Sequence, residues 1–461
     1  MVFSNLLFIF MFLPICLIVY YQMPTRDAKN WVLILASLIF YAWGEPVWIT
    51  LLIFSATIDY FHGLIIEKYY NKWQAKAAVT SSLILNLGLL AIFKYSGMIV
   101  GTISAITGIE IPDQGFSLPI GISFYTFQTI SYTIDVYRGE TPAQKSYSKF
   151  LLFVSLFHQL VAGPIVRYVD IANEIENRVF KISDFSYGVN RFILGLAKKV
   201  LIANTAGALG SGILVVGDRN ASVLGSWLGI LFFAFQIYFD FSGYSDMAIG
   251  MGKMFGFTYK ENFNHPYIST SATEFWRRWH ISLGSFFRDY LYIPLGGNRS
   301  NPYRNLFIVW FLTGLWHGAS WNFVVWGLYY GVFIALEKFI KSKTRMEMPR
   351  IFGHIYCIFI TLVGWVFFYF DSLKDGLGYL RQMFGLAKLP FSNLHFEIVF
   401  NNNLYFIILA MIASTPLLGF IWKKLRLEET PILLITNAAL FFAAISLLVG
   451  ESYNPFLYFR F

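Results

Sequence analysis

The chain has 461 residues, of which 57% are hydrophobic, 20% aromatic and only 13% charged. A soluble domain carries about 25% charged residues, so this composition excludes an ordinary soluble fold and indicates a polytopic membrane protein. The basic excess, 35 Lys+Arg against 26 Asp+Glu, is scattered between apolar spans; it fits cytoplasmic loops and gives no sign of a nucleic-acid partner.

The first stretch, MVFSNLLFIFMFLPICLIVYY, lacks a basic n-region and a small-residue cleavage site, and reads as a retained first span. Apolar runs follow near 31–42, 47–66, 78–93, 118–136, 149–166, 188–214, 222–252, 305–336, 354–370, 404–421 and 431–449. Some are short for a span and some long for one, since a span needs roughly 20 residues. The expectation is an all-α polytopic membrane protein with 10 to 12 transmembrane helices plus interfacial or re-entrant helices, forming one continuous domain over 1–461. Cys16 and Cys357 both lie in apolar runs, so neither a disulfide framework nor a cysteine metal site is indicated.

Basic loops set the orientation. Arg26 and Lys29, then Lys68, Lys72 and Lys76, then Lys338, Lys341, Lys343 and Arg345, and finally Lys423, Lys424 and Arg426 mark the cytoplasmic side. Glu110, Asp113, Asp218 and Asp371 suit the outside, and both termini then face outward. Asp59, Asp135, His158, Gln236, Asp240 and Asp246 interrupt apolar runs. Asp240 and Asp246 read either as structural partners for the arginines of the next segment or as direct participants in chemistry. Gly250, Gly252 and Gly256 follow no strand and precede no acidic ribose partner, so a nucleotide loop is rejected. Small residues at that density let membrane helices approach closely.

The stretch from Asn262 to Gly331 is the focus. At about 100° per residue, Glu274, Arg277, His280 and Arg288 fall on one side of a helix, with Trp276, Trp279, Leu283, Phe286, Phe287 and Tyr290 on the other. That pattern suits a helix lying among headgroups, with Arg277, Arg278 and Arg288 placed to attract an anionic donor. From Asn305 to Leu336 the strongly polar side chains are Asn305, His317 and Asn322. The run is too long for one upright span, so it is tilted, or broken near Gly314 and Gly318. His317 at membrane depth reads as functional; the alternative is a neutral histidine bonded to a neighbouring carbonyl. There is no G-x-S-x-G elbow, no H-E-x-x-H helix and no P-loop. A buried histidine, a second histidine and hydroxyl-rich aromatic surroundings suit metal-free acyl transfer. An ion or solute transporter is the other class that buried Asp and His allow, but it predicts inverted halves, which this sequence does not display.

The runs YFDFSGYSDMAIGMGKMFGF, NFNHPY, EFWRRWHISLGSFFRDYLYIPLGG and LTGLWHGASWNFVVWG strongly resemble the membrane-bound O-acyltransferase family. FYAWGEPVW (Phe40–Trp48), LPIGISFYTFQTISYTIDVYRG and HQLVAGPIVRY are similar to its bacterial alginate O-acetyltransferase subgroup, and the resemblance covers essentially the whole chain. It implies the family's funnel-shaped helical fold, His317 as the catalytic residue and His280 as the second active-site position. It further implies a multi-pass protein of the bacterial cytoplasmic membrane, with acetyl-CoA as a cytosolic donor and no bound cofactor. An extracytoplasmic SGNH or esterase-like partner would complete O-acetylation of a polysaccharide. A related branch of the family transfers D-alanine for teichoic acid, and that alternative stays open. The extracytoplasmic tail 451–461 ends in PFLYFRF, which resembles a terminal aromatic motif whose tyrosine, here Tyr458, is proposed to carry the acyl group. A phenol, with a pKa near 10, leaves more readily than an alcohol.

Overall fold

The computed structural model describes residues 1–112, 115–160, 163–344, 348–450 and 456–457. Among them every regular element is helical. The expected positions Asp113, Arg345 and Tyr458 lie outside the described residues.

Among the described residues seven helices are long and apolar enough to cross a membrane: Ile49–Lys68, Trp73–Thr107, Ile182–Ser211, Val223–Met254, Trp321–Thr344, Arg350–Tyr369 and Pro431–Val449. Leu394–Asn402 and Leu404–Ala413, bent by 57°, make an eighth if taken as one broken span. The sequence alone predicts 10 to 12, and the difference lies in runs that the chain folds into shorter pieces. The 149–166 run breaks at Leu156, whose ψ of 112 leaves helical geometry. The 118–136 run gives the 17-residue Ile122–Arg138 helix, rich in buried hydroxyls and ended by Gly139 at φ 75. The first run gives only the apolar helix Phe8–Gln22.

The chain divides into two compact units. The first comprises Met1–Gly195, Tyr244–Glu261 and Leu448–Arg460. Its centre is polar. Asp59 is fully buried and accepts hydrogen bonds from Ser82 Oγ and Asn86 Nδ2, each at 2.7 Å. Buried carboxylates persist only when hydrogen-bonded or paired, and this one ties Ile49–Lys68 to Trp73–Leu90. Asp246 is satisfied in the same way by Arg191 at 2.6 Å, which also reaches Glu261.

The second unit comprises Leu196–Gly243 and Asn262–Leu447, with Phe461. At its heart Pro302–His317 and Trp321–Thr344 form an antiparallel hairpin. A Cβ on Gly314 would run into the Phe323 carbonyl, and one on Gly327 into the Trp310 carbonyl. Glycine at both positions is what lets the two backbones meet, as small residues do between membrane helices. Asn305 anchors the start of the hairpin. Its Nδ2 donates to the carbonyls of Leu295, Gly297 and Ser300.

Candidate active site

His317 is the last residue of the Pro302–His317 helix, and the break expected in the 305–336 run falls immediately after it, at Gly318. Gly318 turns to extended backbone, and a Cβ there would overlap the Phe323 ring. A larger residue could not occupy the corner, so the helix stops and presents its last side chain inward. His317 is 3% exposed. Its ring lies 4.9 Å from Trp326, 5.3 Å from Phe368 and 5.0 Å from Trp316, edge to face in each case.

The segment before the hairpin is not the continuous amphipathic helix that periodicity predicts. It is two short helices, Ala272–Arg278 and Ile281–Phe287, separated by Trp279 and His280. His280 takes φ 46 and ψ 54, a left-handed conformation uncommon for a residue with a side chain. This kink breaks the helical phase, so His280 does not share a basic face with Arg277 and Arg288. It is 2% exposed. Its ring packs 4.7 Å from Phe241 and 5.8 Å from Trp316. The Trp316 indole is thus a neighbour of both imidazoles.

Asn262 fixes the protonation pattern of His280. The Asn262 side-chain oxygen accepts from the Ser282 backbone N–H at 3.2 Å and from Ser282 Oγ at 2.8 Å. A backbone N–H can only donate, so the atom it meets is the amide oxygen. That oxygen also lies 3.2 Å from His280 Nδ1, so Nδ1 carries the proton and Nε2 carries the lone pair. Burial pushes His280 down to about 3 from the ordinary 6.5, keeping it neutral at physiological pH. Between those values the unfolded chain binds more protons. The contribution is therefore complete above pH 6.5 and is lost as pH falls towards 3.

No role for Asn262 is evident from the sequence. Its only signal is its place at the head of NFNHPY. Asn262→Asp keeps an acceptor for all three donors and should retain most activity. Asn262→Leu should lower turnover at least about tenfold, because the Nδ1 proton loses its partner and the tautomer is no longer set. Equal turnover in folded Leu and Asp variants would remove Asn262 from the mechanism.

The other expected residues are distributed differently. Arg277 is exposed, whereas Arg278 is bonded to Glu274 at 2.9 Å and to the Asn264 carbonyl. Arg288 is held by the adjacent Asp289 at 2.7 Å. The sequence offers Asp240 the arginines of the following segment; in the structure it pairs with Lys199, at 2.5 Å and also buried, from the preceding Lys198–Asn204 stretch. Trp276, expected on a lipid-facing side, sits 4.8–5.3 Å from Tyr330, Trp310 and Trp326, inside the aromatic packing that carries His317.

Residues 136–376, which include both histidines and Asn262, match the membrane-bound O-acyltransferase family model. Over its full length the chain is 37% identical to a probable alginate O-acetylase of Azotobacter vinelandii, all of which is covered. It is 36% identical to a peptidoglycan O-acetyltransferase of Helicobacter pylori, over 86% of this chain and 82% of that one. Similarity to a teichoic acid D-alanyltransferase of Bacillus subtilis is lower, 27% over 49% of this chain and 60% of the other.

Proposed function

This chain belongs to the membrane-bound O-acyltransferase family, and on that premise we propose that it moves an acetyl group from a cytosolic thioester, acetyl-CoA, across the bacterial cytoplasmic membrane for O-acetylation of a polysaccharide. The observation that carries this reading is the pair of buried imidazoles against Trp316. His317 takes the proton of the attacking hydroxyl as its oxygen bonds the thioester carbonyl carbon. The C–S bond then breaks and the thiolate leaves with that proton. His280, with its lone pair on Nε2, orients the hydroxyl. The similarity to alginate and peptidoglycan O-acetylating proteins, over 100% and 86% of this chain, favours acetyl over D-alanyl transfer. Exposed Arg277 is the best placed of the three arginines to attract the donor's phosphates, its neighbours already being bound to carboxylates. Asp240 contributes by supporting this part of the structure through Lys199.

In this account the attacking hydroxyl is that of Tyr458, and an extracytoplasmic esterase-like partner collects the acetyl group on a serine. Tyr458→Phe keeps the aromatic ring and deletes the nucleophile. Membranes bearing wild-type protein, given acetyl-CoA labelled in the acetyl group, should place label on the chain at Tyr458, and the Phe variant should place none. Normal polysaccharide acetylation by the Phe variant would reduce the tail to an interfacial anchor.

A further inference from the structure

The first unit contains a second hydrogen-bonded chain that ends in a hydroxyl. His62 Nδ1 lies 3.1 Å from Asp59 Oδ1, and His62 Nε2 lies 3.3 Å from Ser81 Oγ. A carboxylate oxygen only accepts, so Nδ1 carries the proton and the lone pair of Nε2 faces the serine. Asp59 is itself held by Ser82 and Asn86, each at 2.7 Å, and His62 is one turn along the same helix. Ser82 points inward to the carboxylate, while its neighbour Ser81 lines a groove of about 560 Å³. Trp73, Lys76, Thr80, Ile84 and Leu85 also line it.

The groove has a polarity along its length. Trp73 and Lys76 stand at the start of the Trp73–Leu90 helix, where an indole and a lysine mark headgroup level. Ser81 is five residues further, about 7.5 Å deeper at helical rise. Ile84 and Leu85 continue towards the apolar interior. An amphiphile seated here would place an anionic headgroup by Lys76, an ester carbonyl near Ser81 and its chain over Ile84 and Leu85.

We propose that Ser81, with His62 as general base and Asp59 as the orienting carboxylate, is a second acyl-transfer centre, acting on an ester of an anionic glycerolipid. Ser81 Oγ bonds the ester carbonyl carbon while its proton passes to His62 Nε2. The C–O bond to the alcohol then breaks and His62 returns the proton to the leaving alkoxide, so the products are acyl-Ser81 and a free alcohol. Positioned bases contribute about 10²–10⁴-fold to such steps.

The test uses the full-length protein in detergent with a long-chain alkyl fluorophosphonate, a covalent probe of activated serines, and reads adducts by peptide mass spectrometry. The expected result is an adduct on Ser81 that is absent in Ser81→Ala. It should form at least about a hundredfold more slowly in His62→Gln, or in His62→Asn if that variant is the better folded. A wild-type Ser81 that takes no label overturns the proposal. So does labelling whose rate is unchanged by removing the imidazole from folded protein, which would leave Asp59–His62–Ser81 as an interhelical bridge only.

Discussion

Replacing His317 with Ala should lower O-acetylation by at least about a hundredfold while the protein inserts and accumulates normally. The magnitude follows from what a positioned general base contributes, about 10²–10⁴-fold. His317→Gln should fail as completely. Its amide can occupy much of the same space between Trp326 and Phe368 and can hydrogen-bond, but it cannot accept a proton at neutral pH. The pair of variants therefore separates chemistry from packing. Near-normal acetylation by a stable Gln variant would leave His317 as a structural residue of the aromatic core.

Lys199→Met should produce the largest loss of stability of any single change considered. Lys199 and Asp240 are 7% and 2% exposed, and their charged atoms are 2.5 Å apart. Breaking a buried ion pair by removing one of its members costs about 3–5 kcal/mol. The double variant Lys199→Met with Asp240→Leu removes both charges and should recover most of the folded yield, since apolar replacement of a whole buried pair is often neutral. Thermal unfolding of the detergent-solubilised proteins measures both. A single variant as stable as wild type would show that the pair adds nothing. If the double variant folds and still acetylates, Asp240 is confined to the structural role. If it folds and is inactive, Asp240 takes part in substrate handling as well.

The parts of the site legible in the sequence are those where one residue type has one physical explanation. A histidine within an apolar run, followed by a glycine and then a second apolar helix, marked both His317 and the break at Gly318, because an intramembrane ionisable group is costly and the run was too long for one span. The Trp279–His280 kink was not legible. A helical wheel assumes continuity, and nothing in WRRWHIS announces a left-handed backbone at a non-glycine residue. Once the kink is present, the face containing Glu274, Arg277, His280 and Arg288 ceases to exist, and Trp276 turns into the core. The Lys199–Asp240 pair was hidden for another reason. Long-range pairing has no local signature, and the arginine-rich segment close in sequence draws attention away from Lys199. Where an apolar run such as 149–166 breaks, at Leu156, it yields shorter helices that composition alone does not distinguish from a single span. Asn262 was unreadable because its importance lies in an oxygen shared between a ring nitrogen and Ser282, a relation visible only once both are in place.

The most direct test of the central claim is the acetyl-ester content of polysaccharide, measured by mass spectrometry of cell-wall and exopolysaccharide fragments. The cells compared would carry the wild-type protein, no protein, or His317→Gln at matched membrane abundance. The account predicts acetyl esters on one of these polymers with the wild-type protein, and their loss both without it and with the Gln variant. Equal acetylation in all three strains would contradict it.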